Sequence, residues 1–233
     1  MTVSAIIPAY NEEATVYKVI DVLKQVNDVS EIIVVSDGSE DNTAVIARKH
    51  GAKVFELAAN AGKGSAMVVG ASKASNNILL FLDADLEGLT KNHVQALIQP
   101  VLTNVADMTV GIFTKGRSLT DLAQLVAPQL SGQRAIKKEK FLEVGAERSR
   151  FEVEILLTSE AHSRGWRVQT VPLHNMTHVM KEEKRGFFRG LLARAGMYKD
   201  IALFFLMRKT RRIKTSPVGD FVLLVNDSIK YKK

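Results

Sequence analysis

Ile78-Leu79-Leu80-Phe81-Leu82-Asp83-Ala84-Asp85 decides how this chain folds. Five consecutive apolar residues bounded by polar ones predict a strand covered on both faces. The two carboxylates that follow lie one residue apart. In extended chain they would point to opposite sides, but a turn at the strand's end can bring both toward one ligand. A hard divalent cation suits such a place, because it takes few carboxylates and completes its shell with phosphate oxygens and water. Taken alone, the triplet is equally what a strand end punctuated by two solvated acids looks like, so the flanking sequence has to discriminate.

Upstream, the strand Val3–Pro8 is followed by a polar turn and a helix from about Ala14 to Gln25, with Val16, Val19, Ile20 and Leu23 at helical spacing. A second strand, Glu31–Ser36, gives way to Asp37-Gly38-Ser39-Glu40-Asp41-Asn42 and a helix to His50. The strand Lys53–Leu57 leads through Asn60-Ala61-Gly62-Lys63-Gly64 into a helix ending near Ala74, just before the strand that carries the aspartates. Strands alternating with helices predict an α/β fold with a mostly parallel sheet flanked by helices. Ligands of such sheets bind outside the carboxyl ends of the strands. All four loops fall there, which argues for one composite site.

The 233 residues, 46% of them apolar, suit one α/β domain with an appendage. The absence of cysteine excludes disulfides, thiolate zinc sites and thiol nucleophiles, and is compatible with a reducing cytoplasm. No basic n-region or cleavage site is visible ahead of the first strand, so no signal peptide is expected, and no stretch reaches the roughly 18 apolar residues of a membrane span. A soluble, cytoplasmic protein is expected. The net charge of +7 is uneven: residues 181–233 carry +9 and residues 1–180 carry −2. Reading the whole chain as a nucleic-acid binder is thereby excluded, and no aromatic stacking platform accompanies the basic tail. Phe187, Phe188, Leu191, Leu192, Ala195 and Tyr198 fall at helical spacing ahead of the basic run Arg208–Lys214. We therefore expect a catalytic domain over 1–180 and a basic, amphipathic helical extension over 181–233. A wide apolar stripe favours packing on the core or against a second copy in a homodimer. Peripheral contact with the inner membrane face is the alternative.

At the strand ends, Pro8-Ala9-Tyr10-Asn11-Glu12 offers an aromatic face, an amide and a carboxylate. Asp37 can accept hydrogen bonds from a base imide or from ribose hydroxyls. Gly62-Lys63-Gly64 lets backbone approach a ligand, with Lys63 as a point charge for phosphate. Asp83 and Asp85 supply metal contacts. Base, ribose, diphosphate and metal together describe a nucleotide. Singly, Asp37-Gly38 reads as an ordinary turn and Lys63 as a solvated lysine; their joint position at successive strand ends weakens both readings. Lys63 is not a Walker A lysine, because the residue five before Gly62 is Leu57. Nor does a dinucleotide fingerprint follow the first strand, where Ala9-Tyr10-Asn11-Glu12 holds no glycine.

These four segments, in this order and spacing, resemble the signature of glycosyltransferase family 2, on the GT-A fold. The resemblance covers residues 3–90 and implies a nucleotide-sugar donor. By position it implies that Pro8, Ala9, Tyr10 and Glu12 line the nucleoside pocket and that Asp37 meets the base. Gly62 and Lys63 would lie near the base or diphosphate, Asp83 and Ala84 near the ribose, and Asp85 would take Mg2+ or Mn2+. Downstream, Leu130-Ser131-Gly132-Gln133-Arg134-Ala135, Phe151-Glu152-Val153-Glu154-Ile155 and Met176-Thr177-His178 are similar to small bacterial glucosyl-3-phosphoglycerate synthases and to polyprenyl-phosphate sugar synthases. That likeness implies acceptor contact for Ser131, Gly132, Gln133 and Arg134, a catalytic carboxylate at Glu154 or Glu152, and a metal-coordinating imidazole at His178.

The chemistry follows from charge. Breaking the bond to the nucleotide builds negative charge on the diphosphate, which a divalent ion at Asp85 would stabilise as a Lewis acid. Inverting transfer needs a base on the acceptor hydroxyl, for which Glu154 and Glu152 are the candidates; retaining transfer needs none. Arg134 suits an anionic acceptor, since guanidinium binds carboxylate or phosphate bidentately. A phosphoglycerate fits, and so does a polyprenyl phosphate. The expected function is metal-dependent hexosyl transfer from a UDP-glucose-like donor to a small anion. A non-catalytic nucleotide-sugar-binding protein is the rival from another class.

Overall fold

The computed structural model describes residues 2–114, 131–145 and 153–178. Glu152 and the whole 181–233 extension, with its amphipathic stretch, lie outside the described residues. Nine strands and six helices are described: β1 Val3–Ala9, α1 Val16–Leu23, β2 Val29–Asp37, α2 Thr43–Lys49, β3 Lys53–Leu57, α3 Lys63–Lys73, β4 Ile78–Phe81, β5 Leu86–Glu87, α4 Lys91–Leu102, β6 Met108–Thr114, β7 Arg134–Lys137, α5 Lys138–Glu143, α6 Val153–Ser163, β8 Val168–His174 and β9 Thr177–His178. The expected alternation over the first half is present, with ends displaced by one to a few residues.

Seven strands form one sheet in the order β3-β2-β1-β4-β7-β6-β8. The chain winds outward from β1 through β2 to β3, then returns to place β4 on the other side of β1. That reversal makes a crevice at the carboxyl ends of β1 and β4, where α/β sheets bind ligands. The β7 strand runs antiparallel to both β4 and β6, with Arg134 opposite Phe81. Hydrophobic periodicity does not reveal this insertion. Its consequence is direct: an antiparallel strand beside β4 must enter from β4's carboxyl end, so residues 131–133 arrive beside Asp83.

Side-chain alternation sorts the apolar residues into two cores, one on each face of the sheet. Val3, Ala5, Ile7 and Ala9 of β1 join Ile78 and Leu80 of β4 against Val16, Val19, Ile20 and Leu23 of α1 and Val94, Leu97, Ile98 and Val101 of α4. On the opposite face, Ile6, Leu79 and Phe81 pack with Ala66, Met67 and Ala71 of α3, Phe141 of α5, and Val153 and Leu157 of α6. Burying a side chain the size of Ile6 or Phe81 contributes about 1.5–3 kcal/mol. The Phe81 and Phe141 rings meet with centroids 4.6 Å apart. That contact anchors the end of β4 two residues before Asp83, so core packing fixes where the carboxylate stands.

Candidate active site

Two groups of side chains meet at the carboxyl edge of the sheet. The first stitches the loops after β1, β2 and β3 together. Both oxygens of Asp37, which is 4% exposed, accept backbone hydrogen bonds: Ala61 N to Oδ1 at 2.8 Å and Gly62 N to Oδ2 at 2.9 Å. Asp37 thus clamps the 60–62 loop, and each oxygen retains a second lone pair for a ligand. Gly38 follows at φ +68, and a Cβ there would lie 2.5 Å from the Asn60 nitrogen. Only glycine allows the two loops to close this far. Tyr10 stays 38% exposed at the rim, while Ala9 and Glu12 are buried and Pro8 is half-buried. The Glu12 carboxylate accepts from Thr15 Oγ1 at 2.9 Å.

A brace that sequence reasoning did not single out holds the first loop to the second. Glu12 N donates to Thr43 Oγ1 at 2.8 Å, Glu13 N to Asp41 Oδ2 at 3.1 Å, and Asn42 N to Glu13 Oε2 at 3.0 Å. Burial would raise the Asp41 carboxyl, but the hydrogen bonds from Thr43 and Glu13 outweigh it and lower it below the usual range. The Asp-x-Thr spacing at 41–43, typical of side chains that bond nearby backbone, was the available signal.

The second group is ionic and draws on distant parts of the chain. Lys63, the first residue of α3, places Nζ 2.6 Å from Asp83 Oδ1 and 2.5 Å from Glu154 Oε1. The three side chains are 30%, 17% and 10% exposed, so the cluster is shielded but reachable. Burial alone would lower the Lys63 ammonium; the neighbouring Asp83 and Glu154 carboxylates raise it above its ordinary value instead. Gln133 Nε2 donates to Asp83 Oδ2 at 2.8 Å, and Ser131 Oγ donates to Gln133 Oε1 at 3.0 Å. Gly132 lies so close that a Cβ would stand 2.6 Å from Lys63 Nζ and 2.7 Å from both Asp83 oxygens. The structure therefore brings together Lys63, Asp83, Gly132, Gln133 and Glu154 from four separate segments.

Arg134, expected at the acceptor, lies inside the sheet next to this cluster. Its side chain is fully buried in β7, with Nε donating to the Ser131 carbonyl at 2.8 Å and Nη1 to Thr158 Oγ1 at 2.9 Å. Burial pushes the guanidinium down to about 10, with Glu154 opposing the shift, so it stays charged at neutral pH. The reason is alternation: Arg134 shares the sheet face of Ile136 and of its pairing partner Phe81, the face that α6 covers. Thr158, its partner on α6, carried no sequence signal.

Asp85 is half-buried just past β4, with Ala84 buried before it. The short β5–β9 ribbon pairs Leu86 with His178, which brings His178 into register one residue from Asp85. A carboxylate beside an imidazole-bearing residue suits Mg2+ or Mn2+ when phosphate oxygens and water supply the other ligands. Among the described residues no three acidic or imidazole side chains converge as a self-sufficient metal cage. The Asp85 carboxylate is a hard oxygen donor of the kind Mg2+ and Mn2+ take when phosphate oxygens and water fill most of the shell.

The sheet order and the strand-end loops define an α/β fold of the GT-A class. Residues 4–151 match the sequence profile of glycosyl transferase family 2, and the chain belongs to that family. It is 34% identical over 146 residues to glucosyl-3-phosphoglycerate synthase of Mycobacterium tuberculosis, covering 52% of this chain and 45% of that protein. It is 43% identical over 107 residues to dolichyl-phosphate beta-glucosyltransferase of Drosophila melanogaster, covering 39% of this chain and 32% of that one. The chain thus spans less than half the length of these curated relatives. The crystal structure of the Mycobacterium tuberculosis synthase in complex with Mn2+, UDP-glucose and phosphoglyceric acid superposes with TM-score 0.65 at 28% identity, covering 77% of this chain and 72% of that one.

Proposed function

We propose that this protein transfers a hexosyl group from UDP-glucose, or a close relative, to a small anionic acceptor such as a phosphoglycerate. The observation that carries this is Lys63 standing 2.6 Å from Asp83 and 2.5 Å from Glu154, with the Gly132 backbone against them. An ammonium at a loop that follows β3 can meet a diphosphate, and a carboxylate beside it can meet an acceptor hydroxyl. The likeness to the Mycobacterium tuberculosis synthase supports the donor and acceptor class.

The nucleoside would sit over the loops joined by Asp37, with Tyr10 at its rim and Asp37 toward the base. Asp85, with His178 beside it in register, would hold Mg2+ or Mn2+, which supplies Lewis-acid stabilisation to the departing diphosphate. Lys63 neutralises charge on the same leaving group. As its ammonium turns to the diphosphate, the Glu154 carboxylate is released to accept the acceptor hydroxyl's proton. Ser131, Gly132 and Gln133 border the acceptor side and exclude water there. Residues 1–180 would carry this chemistry, with the basic 181–233 segment as an extension to it. We place the protein in the cytoplasm; among the described residues no helix is long and apolar enough to cross a membrane.

A second reading, transfer to a polyprenyl phosphate at the membrane surface, is favoured by the 43% identity to the Drosophila dolichyl-phosphate enzyme. An acceptor comparison tests the two. Soluble 3-phosphoglycerate should be glucosylated, and the protein should stay in the supernatant with anionic vesicles. Salt-sensitive sedimentation with the vesicles, together with transfer only to a lipid phosphate, would overturn the preferred reading.

A further inference from the structure

Seven residues, through their side chains and two backbone carbonyls, form a closed circuit that includes the ionic cluster. Asp83 accepts from Gln133 Nε2 at 2.8 Å, and Gln133 Oε1 accepts from Ser131 Oγ at 3.0 Å. The Ser131 carbonyl accepts from Arg134 Nε at 2.8 Å, and Arg134 Nη1 reaches Thr158 Oγ1 at 2.9 Å. Thr158 Oγ1 donates to the Glu154 carbonyl at 2.9 Å, one turn back along α6. The Glu154 carboxylate returns through Lys63 to Asp83. Three elements that the chain visits far apart, the end of β4, the loop before β7 and the first turn of α6, are thereby tied at fixed separations.

We infer that Arg134 and Thr158 are positioning residues for the transfer, closing a circuit that holds the 131–133 loop and the Glu154 carboxylate at set distances from Asp83. This rests on the transferase reading above. On this inference both act through other groups: Arg134 is fully buried, with Nε on a loop carbonyl and Nη1 on a helix hydroxyl. A guanidinium suits the task because its planar fork donates in two fixed directions, which a lysine cannot do. The hydroxyl of Thr158 is equally specific, since it accepts from Arg134 while donating to the helix backbone.

Thr158→Val removes the hydroxyl at nearly constant volume, and Thr158→Ser keeps it. With UDP-glucose, Mn2+ and 3-phosphoglycerate, Thr158→Val should lower kcat about 10- to 100-fold, as small misplacements of reacting groups do. UDP affinity should be unchanged, and Thr158→Ser should recover most of the loss. Gln133→Leu opens the same circuit at a distance. Groups in one network are not additive, so the double variant should be at most about threefold slower than the worse single. Multiplicative losses, wild-type kcat in folded Thr158→Val, or equal impairment of Thr158→Ser would each overturn the inference. Should Thr158→Val not fold, exchange of the Arg134 Nε–H by NMR decides. It should be slow in the wild-type protein and at least about tenfold faster in Gln133→Leu, as protection follows local opening; unchanged exchange overturns the circuit. Inactivity of the wild-type protein would count against the transferase reading alone, because the exchange measurement needs no turnover.

Discussion

The two halves of the site are built by different means. On the proposed nucleotide side, loops adjacent in sequence order are stitched through backbone groups: Asp37 to Ala61 and Gly62, Glu12 to Thr43, Glu13 to Asp41. On the proposed acceptor side, charged and amide side chains from residues 63, 83, 133 and 154 face one another directly. Backbone stitching fixes a shape and tolerates change of the ligand above it. Ionic clustering fixes a charge balance, and it must reorganise when a diphosphate brings new charge. Under the proposed function, the difference would assign affinity to the first half and turnover to the second.

Lys63 belongs to both halves, so its loss should erase the distinction. Lys63→Met leaves Asp83 and Glu154 without their shared cation, and steady-state UDP release should fall about 10²–10³-fold. A loss below tenfold would show that the ammonium is not needed at the leaving group.

Asp37→Ala strikes the nucleotide half alone. It frees the Ala61 and Gly62 N–H groups and removes an acceptor from the pocket, so donor binding should weaken by about 1–3 kcal/mol. Calorimetry with UDP reads this directly, and equal affinities would reduce Asp37 to a turn residue. Gly132→Ala strikes the acceptor half alone. Its Cβ would press on Lys63 Nζ and Asp83. Overpacking of that kind should cost about tenfold in kcat over KM for the acceptor while UDP affinity holds. Equal losses for donor and acceptor would contradict the division of labour.

The smallest effect on activity is expected at the far edge of the sheet. Burial would raise the Glu31 carboxyl, but Lys53, Ser4 and Ser75 hydrogen-bond it down to about 2 from 4.5. A depressed carboxyl stabilises the fold above its unfolded value, and that contribution is lost as pH falls from about 4.5 toward 2. The loss should amount to roughly 3 kcal/mol. Denaturant midpoints at pH 7, 4.5 and 3 should drop for the wild-type protein and stay flatter for Glu31→Gln, with kcat at neutral pH unchanged. Identical pH profiles would remove Glu31 as a source of acid sensitivity.

The contrast between the halves also explains what could be read from the chain. Strands β1 to β4 and their loops were legible because each carries its own local pattern: an apolar run, a turn residue, a helical stripe. Val16, Val19, Ile20 and Leu23, expected on the covered face of α1, are all fully buried. The acceptor half depends on pairing across long separations. Nothing in Arg134-Ala135-Ile136-Lys137 says that it runs antiparallel between β4 and β6. An arginine is ordinarily placed at the surface, so the full burial of Arg134 was not to be read from its residue type. Thr158 matters only because Arg134 reaches it, and the β5–β9 ribbon that sets His178 beside Asp85 spans two residues on each strand, too short to show a period.

The most direct test is UDP release from UDP-glucose with and without 3-phosphoglycerate, in Mn2+ and in EDTA, with the sugar product read by mass spectrometry. The expected result is release that requires both the acceptor and the divalent ion, a product heavier than the acceptor by one hexosyl group, and loss of the metal stimulation in Asp85→Ala. Turnover unaffected by EDTA and undiminished in Asp85→Ala would contradict metal-dependent transfer at this site. So would a protein that binds UDP but releases none from the sugar nucleotide whichever acceptor is offered.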